Sequence, residues 1–259
     1  MSIIEAIILG LIQGLTEFLP VSSSGHIEIG KAILGVEVKD SLEFTVAVHA
    51  ATVLSTLVVF RKDIVNLFAG FFKFRMNDET KFVLKILLST IPVLFIGLFF
   101  KDEVETLFEG NLLIVGAMLL VTAILLTLSK YLQRANTRPI SYRDSLIIGI
   151  AQAIAVLPGL SRSGSTISTG LILGNHRDEV AKFSFLMVII PILGAAFLDV
   201  AKGEFGTFSI QPIIAGFIAA FVSGYLACSW MVKLVRKGNL IWFAIYCAII
   251  GLAAIIFSL

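Results

Sequence analysis

A few ionisable and hydroxyl side chains interrupt an otherwise apolar sequence at two places. The first, QGLTEFLPVSSSGH, holds Glu17, Ser23 and His26, and the second, PGLSRSGST, holds Arg162. A hydroxyl beside a general base can act as a nucleophile, and a guanidinium offers a planar fork that fits phosphate oxygens. These four residues form the candidate catalytic set, and their types predict chemistry at a phosphate group.

Polar residues and glycines beside this set could bind the same anion. Half-helices that begin near the two glycines would direct backbone N–H groups and the positive end of the helix dipole towards it. Glycine also allows the backbone to approach a ligand closely. The predicted phosphate-binding residues are Gln13, Ser22, Ser24, Gly25, Ser161, Ser163, Gly164 and Thr166.

The same side chains also have structural interpretations. The hydroxyl residues could cap helices, and Glu17 with Arg162 could form a structural ion pair. His26 could be a hydrogen-bonded buried histidine, and His49 is interpreted as a packing residue of the first span. Glu28 is expected near the outer surface, in contact with water.

Composition places these residues in a membrane protein. The 259 residues are 58% hydrophobic and 15% charged, with a mean hydropathy of +0.98, whereas a soluble domain carries about 25% charged residues. We therefore expect a single membrane domain over residues 1–259. The net charge is +2 and the basic residues, including Arg61 and Lys62, are predicted to lie in loops between apolar runs, so no nucleic-acid partner is expected.

Apolar runs define the elements that must position the polar residues. A transmembrane helix needs about 20 apolar residues, and six runs qualify: 41–60, 82–100, 111–129, 179–200, 210–232 and 240–259. Two further stretches are broken, 3–19 with 26–35 at Pro20, and 145–157 with 166–173 at Pro158. Each broken stretch predicts a re-entrant hairpin, whose non-helical break must be satisfied by protein or water.

The two broken stretches resemble each other and predict internal repeats at about 1–130 and 140–259. Gln13 matches Gln152 at an offset of 139, and Ser23 matches Ser161 at 138, so one residue is dropped between. Each repeat would be a re-entrant helical hairpin followed by three transmembrane helices. Because three is odd, the repeats have inverted topology, which would bring both hairpin tips and the catalytic set together. The predicted fold is an all-α polytopic membrane protein.

Lysine and arginine are distributed unequally between the two predicted faces. Four face one side, namely Lys31, Lys39, Lys101 and Lys202. Fifteen face the other, namely Arg61, Lys62, Lys73, Arg75, Lys81, Lys85, Lys130, Arg134, Arg138, Arg143, Arg177, Lys182, Lys233, Arg236 and Lys237. The basic face is predicted to be cytoplasmic, which places both termini and the first hairpin outside.

The motifs resemble those of the undecaprenyl-diphosphate phosphatase family of the bacitracin-resistance type. The segments EFTVAVHAATVLSTLVVFRKD, RDEVAKFSFLM and FVSGYLACSWMVK also resemble family segments, in family order. By position, the family motifs fall on Gln13, Glu17, Ser23, His26, Ser161, Arg162 and Thr166. Many members carry glutamate at the position of Gln13, which leaves Glu17 as the nearby acid.

The resemblance implies a reaction, a location and a cofactor. The reaction is hydrolysis of undecaprenyl diphosphate, a polyprenyl diphosphate lipid, to the monophosphate, which recycles the carrier for peptidoglycan synthesis and confers bacitracin resistance. It would occur at the outer face of the bacterial inner membrane. A divalent cation, Mg²⁺ or Ca²⁺, is implied, with Glu17 as its protein ligand. A homodimer is common for such folds.

The sequence leaves the mechanism and one other function open. Ser23 is the preferred nucleophile, with His26 or Glu17 as its base, but direct attack by His26 or by a water activated by Glu17 fits as well. A lipid-phosphate transporter or flippase shares the inverted-repeat architecture, although it needs no nucleophile. The SGH and SR fragments also occur in type-2 phosphatidic-acid phosphatases. That resemblance is superficial, because the lysine-to-arginine-proline motif of those enzymes is missing before SGH and no histidine follows Arg162 until His176.

Overall fold

The computed structural model describes residues 1–35, 42–107, 111–132, 138–202 and 210–258, and its regular elements over these ranges are helices. The first repeat predicted from the sequence contains α1 Ile3–Phe18, α2 Ser23–Leu34, α3 Leu42–Val59, α4 Arg61–Phe71, α5 Asp78–Phe99, α6 Lys101–Thr106 and α7 Leu112–Leu132. The second contains α8 Tyr142–Ile154, α9 Arg162–Ile172, α10 Arg177–Met187, α11 Ile189–Lys202, α12 Ile210–Lys237 and α13 Ile241–Ser258.

Several of these helices are long and apolar enough to cross a membrane. Within the described ranges, five segments meet that description, namely α5, α7, the nearly continuous α10–α11 segment over Arg177–Leu198, α12 and α13. The remaining predicted span, 41–60, contains α3, which is bent by 76° from α4. The protein is therefore an all-helical, multi-pass membrane protein with five candidate spans, or six if the bent pair counts as one.

Two helical hairpins occupy the places where the sequence is broken. In the first, α1 ends before Leu19, which is extended (φ −70°, ψ 144°) because the ring of Pro20 disfavours helical geometry in the residue before it. In the second, α8 ends at Ile154, four residues before Pro158, and Gly159 takes a positive φ of 88°. The first break thus follows from local backbone sterics, and the second is completed by a turn at Pro158 and Gly159.

The two hairpins share one alignment frame, a constant spacing of 139 residues between equivalent positions. The sequence predicted a spacing of 138 residues at the break. Both first helices begin with a capping box, from Ser2 in α1 and Ser141 in α8. Both second helices have a serine N-cap, Ser22 in α2 and Ser161 in α9. Each pair lies 139 residues apart, so the pairing of Ser23 with Ser161 at 138 is wrong. That pairing was based on Pro20 and Pro158, which lie 138 residues apart and are therefore displaced by one residue within the common frame.

Small residues allow the long helices to pack closely. A Cβ atom added to Gly10 would meet the carbonyl oxygen of Gly216, and one added to Gly149 would meet that of Ser89. These contacts join α1 to α12 and α8 to α5, while glycines on α7 and α13 approach each other in the same way. Close backbone contact of this kind supplies the van der Waals packing that holds helices together in lipid.

The two hairpin tips contact each other inside the bundle. A Cβ atom built on Gly25 would lie 3.0 Å from the Cα atom of Gly159. The Ser163 hydroxyl donates to the carbonyl oxygen of Leu19 at 3.0 Å, and the Ser161 N–H donates to Thr122 of α7 at 2.9 Å. The breaks are therefore satisfied by protein, as non-helical backbone at membrane depth requires.

Two details differ from the sequence predictions. The segment after the first span forms the helix α4, although its charged start predicted a loop. The predicted starts of α2 and α9 near Gly25 and Gly164 agree with the structure, where serine caps start both helices two residues earlier. Glu28 is buried and pairs with Lys31 at 3.1 Å, so the prediction that it is in water is wrong.

Candidate active site

Glu17 lies at the centre of a polar network between the two hairpins. Its Oε2 atom accepts hydrogen bonds from Gln13 Nε2 at 2.9 Å and from the Ser23 hydroxyl at 2.6 Å. Its Oε1 atom forms an ion pair with a terminal nitrogen of Arg162. Gln13 and Glu17 are buried at 0% and 6% exposure, so this carboxylate is held almost entirely by protein groups.

Local geometry brings these groups together from three helices. Gln13 and Glu17 are four residues apart on α1 and share one face. Ser23 and Arg162 are the first residues of α2 and α9, so both lie where a helix starts at the junction of the hairpin tips. The carboxylate and hydroxyl come from one hairpin, and the guanidinium comes from the other.

The serines next to Ser23 shape the first tip. Ser22 has a positive φ of 70°, a conformation that is strained for a residue other than glycine. Its side chain accepts a hydrogen bond from the Gly25 N–H at 3.2 Å and lies 3.2 Å from the Ser24 hydroxyl. Ser22 is therefore a helix cap, and its turn directs Ser23 back towards Glu17.

The second tip repeats this arrangement without the strain. Ser161 has a φ of −73° and accepts from the Gly164 N–H at 3.1 Å, and its hydroxyl lies 3.4 Å from that of Ser163. Thr166 is fully buried and bonds to the Arg162 carbonyl at 2.9 Å and to the Ser184 hydroxyl. Thr166 thus stabilises the first turn of α9 and is not among the residues that line the cavity beside the network.

His26 lies apart from the Glu17 network. Its Nδ1 atom is 2.8 Å from the Ser22 carbonyl oxygen, and its Nε2 atom is 2.8 Å from the Tyr246 hydroxyl. Since a carbonyl can only accept, these partners assign the proton to Nδ1 and make Nε2 the acceptor. Of the predicted catalytic set, the structure brings together Glu17, Ser23 and Arg162, and it holds His26 against Tyr246.

A cavity of about 630 Å³ adjoins the network, within the range of small-molecule sites. Its polar end contains Glu17, Arg162 and the serines at both tips, and its apolar part is lined by α5 and α11 through residues such as Leu94 and Ile192. The cavity therefore combines an anion-binding end with a hydrocarbon wall. Gln13, Gly25, His26, Gly164 and Thr166 are predicted site residues that do not line it.

His49 and Gln152 are polar residues that line the cavity and were not predicted as site residues. His49 of α3 lines it and donates from Nδ1 to the Thr45 carbonyl at 2.8 Å, although it had been interpreted as a packing residue. Gln152 of α8 also lines it. The sequence did contain one signal for Gln152, its match with Gln13. That match was interpreted as evidence for the internal repeat and not for a role of Gln152 in the site.

Oxygen donors for a divalent cation are few in this site. No group of three or more His, Cys, Asp or Glu side chains able to hold a metal occurs in the described part of the chain. Glu17 supplies a carboxylate, and the Oε1 atom of Gln13 is buried without a hydrogen-bond partner. A carboxylate oxygen suits Mg²⁺ and Ca²⁺, and Glu17 lines the cavity whereas Gln13 is fully buried away from it, so Glu17 fits a cation that takes its other ligands from substrate and water.

Comparison with known proteins identifies the family. Residues 6–253 match the family model of the bacitracin resistance protein BacA. The chain is 59% identical to an undecaprenyl-diphosphatase of Bacteroides fragilis strain ATCC 25285, over 98% of this chain and 97% of the relative. It is 55% identical to an undecaprenyl-diphosphatase of Christiangramia forsetii, over 100% and 99% of the two chains, and 41% identical to one of Methanobrevibacter smithii, over 97% and 96%. The resemblance seen in the motifs is confirmed, and the chain belongs to the BacA bacitracin resistance protein family.

Proposed function

We propose that this protein hydrolyses undecaprenyl diphosphate to undecaprenyl phosphate and inorganic phosphate. The cavity carries the proposal, because its polar end places Arg162, Glu17 and Ser23 beside an apolar wall from α5 and α11. A diphosphate head group fits the polar end of the cavity, and a polyprenyl tail fits its apolar wall. The relatives named undecaprenyl-diphosphatase support the same assignment and agree with the enzyme class predicted from the motifs.

Ser23 is the proposed nucleophile and Glu17 its general base. The Ser23 hydroxyl already donates to Glu17 Oε2 at 2.6 Å, so the carboxylate can take its proton as the oxygen attacks the terminal phosphorus. The phosphoanhydride bond breaks, undecaprenyl phosphate leaves, and water then hydrolyses the serine phosphate. Arg162 has further N–H groups beyond the one paired with Glu17, and these stabilise charge on the phosphoryl oxygens.

The contacts of His26 favour this assignment over direct attack by the imidazole. Its Nε2 atom is bonded to Tyr246 and its Nδ1 atom to the Ser22 carbonyl. Reaction at Nε2 would first break the hydrogen bond to the tyrosine. We therefore assign His26 to positioning, because its bond to Ser22 stabilises the strained turn that precedes Ser23.

A divalent cation, Mg²⁺ or Ca²⁺, belongs to this proposal, with Glu17 as the protein ligand that would hold it. When bound, it neutralises charge on the diphosphate and so assists departure of the leaving phosphate. Gln13 also holds Glu17 through its Nε2 atom, which fixes the orientation of the carboxylate. Removal of the cation by EDTA is expected to lower turnover.

The proposed location is the outer face of the bacterial inner membrane, where the product returns to peptidoglycan synthesis. The common frame of the hairpins and the matching contacts of α1 with α12 and α8 with α5 support an inverted repeat, and the excess of basic residues on one predicted face supports placing both termini outside. Single cysteines replacing Lys73 and Glu103 test this orientation, because both side chains are exposed and the native cysteines are buried. An impermeant thiol reagent should label only Glu103→Cys in intact cells, and the reverse pattern would contradict the orientation.

Phosphate release from undecaprenyl diphosphate by purified protein tests the activity directly. We expect release in the presence of Mg²⁺ or Ca²⁺ and a large decrease with EDTA. The same protein in sealed vesicles provides the comparison with the transporter alternative. Movement of the intact lipid across the vesicle bilayer, with no phosphate released, would contradict the phosphatase proposal.

A further inference from the structure

Gln152 is a buried amide in the cavity wall whose polar atoms have no protein partner. Its side chain is 2% exposed, and it lies near the C-terminal end of α8, among the residues that line the cavity. Neither Oε1 nor Nε2 has a hydrogen-bond partner among the described residues. Most buried amides are fully bonded, so this side chain requires an explanation.

The frame shared by the two hairpins explains why the partner is missing. Gln152 lies 139 residues after Gln13, in the register set by the helix caps. Gln13 donates from Nε2 to Glu17, one turn later on α1. The residue one turn after Gln152 is Val156, which lines the cavity and has no acceptor in its side chain. The second hairpin therefore has the donor amide without the carboxylate that would accept from it.

A negatively charged ligand can replace that carboxylate. Arg162 and the N-terminal ends of α2 and α9 make the polar end of the cavity favourable for an anion. An amide donates through Nε2 without adding charge, so it can contact phosphoryl oxygens without competing with Arg162 for Glu17. An uncharged side chain there also leaves the site without a second carboxylate, which would repel a diphosphate.

We propose that Gln152 is a substrate-binding residue, whose Nε2 group donates to a phosphoryl oxygen of the bound diphosphate. The inference rests on the proposed function for the identity of the lipid, whereas the contact with phosphate rests on the cavity itself. The protein itself offers the Gln152 amide no hydrogen-bond partner among the described residues, and a bound phosphoryl oxygen would supply one. Gln152 is thus expected to reduce stability without ligand and to increase affinity with it.

Gln152→Leu separates these two effects. Leucine has a similar size but no polar atoms, so the melting temperature without ligand should rise because the unsatisfied amide is gone. The KM for undecaprenyl diphosphate should increase at least tenfold, with a smaller change in kcat, because the contact forms in both the ground state and the transition state. The rise in melting temperature that inorganic pyrophosphate causes in the wild type should also decrease.

Ser168→Ala is the matched control. Ser168 is a fully buried residue of α9 whose hydroxyl also has no hydrogen-bond partner among the described residues, but it does not line the cavity. Its removal should raise the melting temperature as Gln152→Leu does and leave KM unchanged. Gln152→Glu is the second test, because a carboxylate of the same size repels the diphosphate and should raise KM more than leucine does.

Two results would overturn the inference. Wild-type KM and a wild-type pyrophosphate shift in Gln152→Leu would make Gln152 a packing residue. An unchanged KM in Gln152→Glu, with saturation at a lower Mg²⁺ concentration, would make it a cation ligand instead. Ser168→Ala, which lies outside the cavity, should keep the wild-type pyrophosphate shift. If the wild type releases no phosphate, the proposed phosphatase function fails, and the pyrophosphate shifts still decide whether Gln152 contacts phosphate.

Discussion

The two hairpins have the same frame and opposite chemistry. Their caps, glutamines and terminal glycines recur at a spacing of 139 residues, and Gly35 and Gly174 both have a positive φ. In that frame Glu17 corresponds to Val156, Ser23 to Arg162, and His26 to Ser165. The first tip thus supplies a carboxylate and a hydroxyl, whereas the second supplies a guanidinium.

This difference teaches that the site requires both hairpins. Glu17 and Arg162 neutralise each other across the junction of the tips, and removing one partner of a buried pair typically costs about 3–5 kcal/mol, because it leaves an uncompensated charge. The shared elements build and join the half-helices. The elements that differ carry the chemistry, and the following predictions test this division.

Ser23→Ala should have the largest effect, because it removes the proposed nucleophile from the first tip. We expect turnover to fall by several orders of magnitude, roughly 4 kcal/mol or more of transition-state stabilisation, while substrate still binds. Phosphate release at saturating substrate measures this. Ser24→Ala in the same detergent is the control and should lose about tenfold or less. Retention of a tenth of wild-type turnover in Ser23→Ala would rule out serine attack.

Glu17→Gln tests whether the carboxylate has both a catalytic and a structural role. The change removes the base for Ser23 and leaves Arg162 without its ion-pair partner, so turnover should fall about 100-fold or more and the melting temperature should decrease. In the double variant Glu17→Gln, Arg162→Gln, the melting temperature should recover and turnover should not. Recovery of both would mean that the pair is only structural.

Arg162→Lys keeps the charge of the second tip and removes the planar fork. The compact ammonium cannot contact Glu17 and a phosphoryl oxygen in the geometry of a guanidinium. We expect at least a tenfold loss of turnover, about 1.4 kcal/mol, with the fold intact by melting temperature. Turnover near that of the wild type would show that only the ion pair with Glu17 matters.

The two serine caps should show the smallest and most similar effects. Ser22→Ala and Ser161→Ala each remove one capping hydrogen bond, so each should lower the free energy of unfolding by about 1 kcal/mol and turnover by tenfold or less. Glycine should distinguish them. Glycine is better tolerated than alanine at any N-cap, but at position 22 it also relieves the positive φ, so its advantage over alanine should be larger at position 22 than at position 161. Melting temperatures of the four variants measure the difference, and equal glycine effects would contradict the strain at Ser22.

Much of the fold could be predicted because it depends on local physics. Apolar runs of about 20 residues indicated the long helices, and Pro20 and Pro158 indicated where the hairpins break. The sequence did not predict the helix α4, because its charged residues suggested a loop. In the structure the chain bends after α3 and remains helical. The pairing of Ser23 with Ser161 was wrong because it was based on the prolines, which are easy to recognise in a sequence. The equivalent residues are the helix caps, which are defined by backbone geometry.

The sequence by itself determined the membrane class, the two polar breaks, the family and the residue types that could act on a phosphate. Composition, periodicity and motif spacing carry that information along the chain. Only the tertiary structure decided which of these residues meet, because residues such as Glu17 and Arg162 are far apart in sequence and come together through helix packing. It joined Ser23 to Glu17, turned His26 towards Tyr246 and left Gln152 unpartnered in the cavity. Hydrogen bonds depend on distance and direction in space, which no linear pattern specifies.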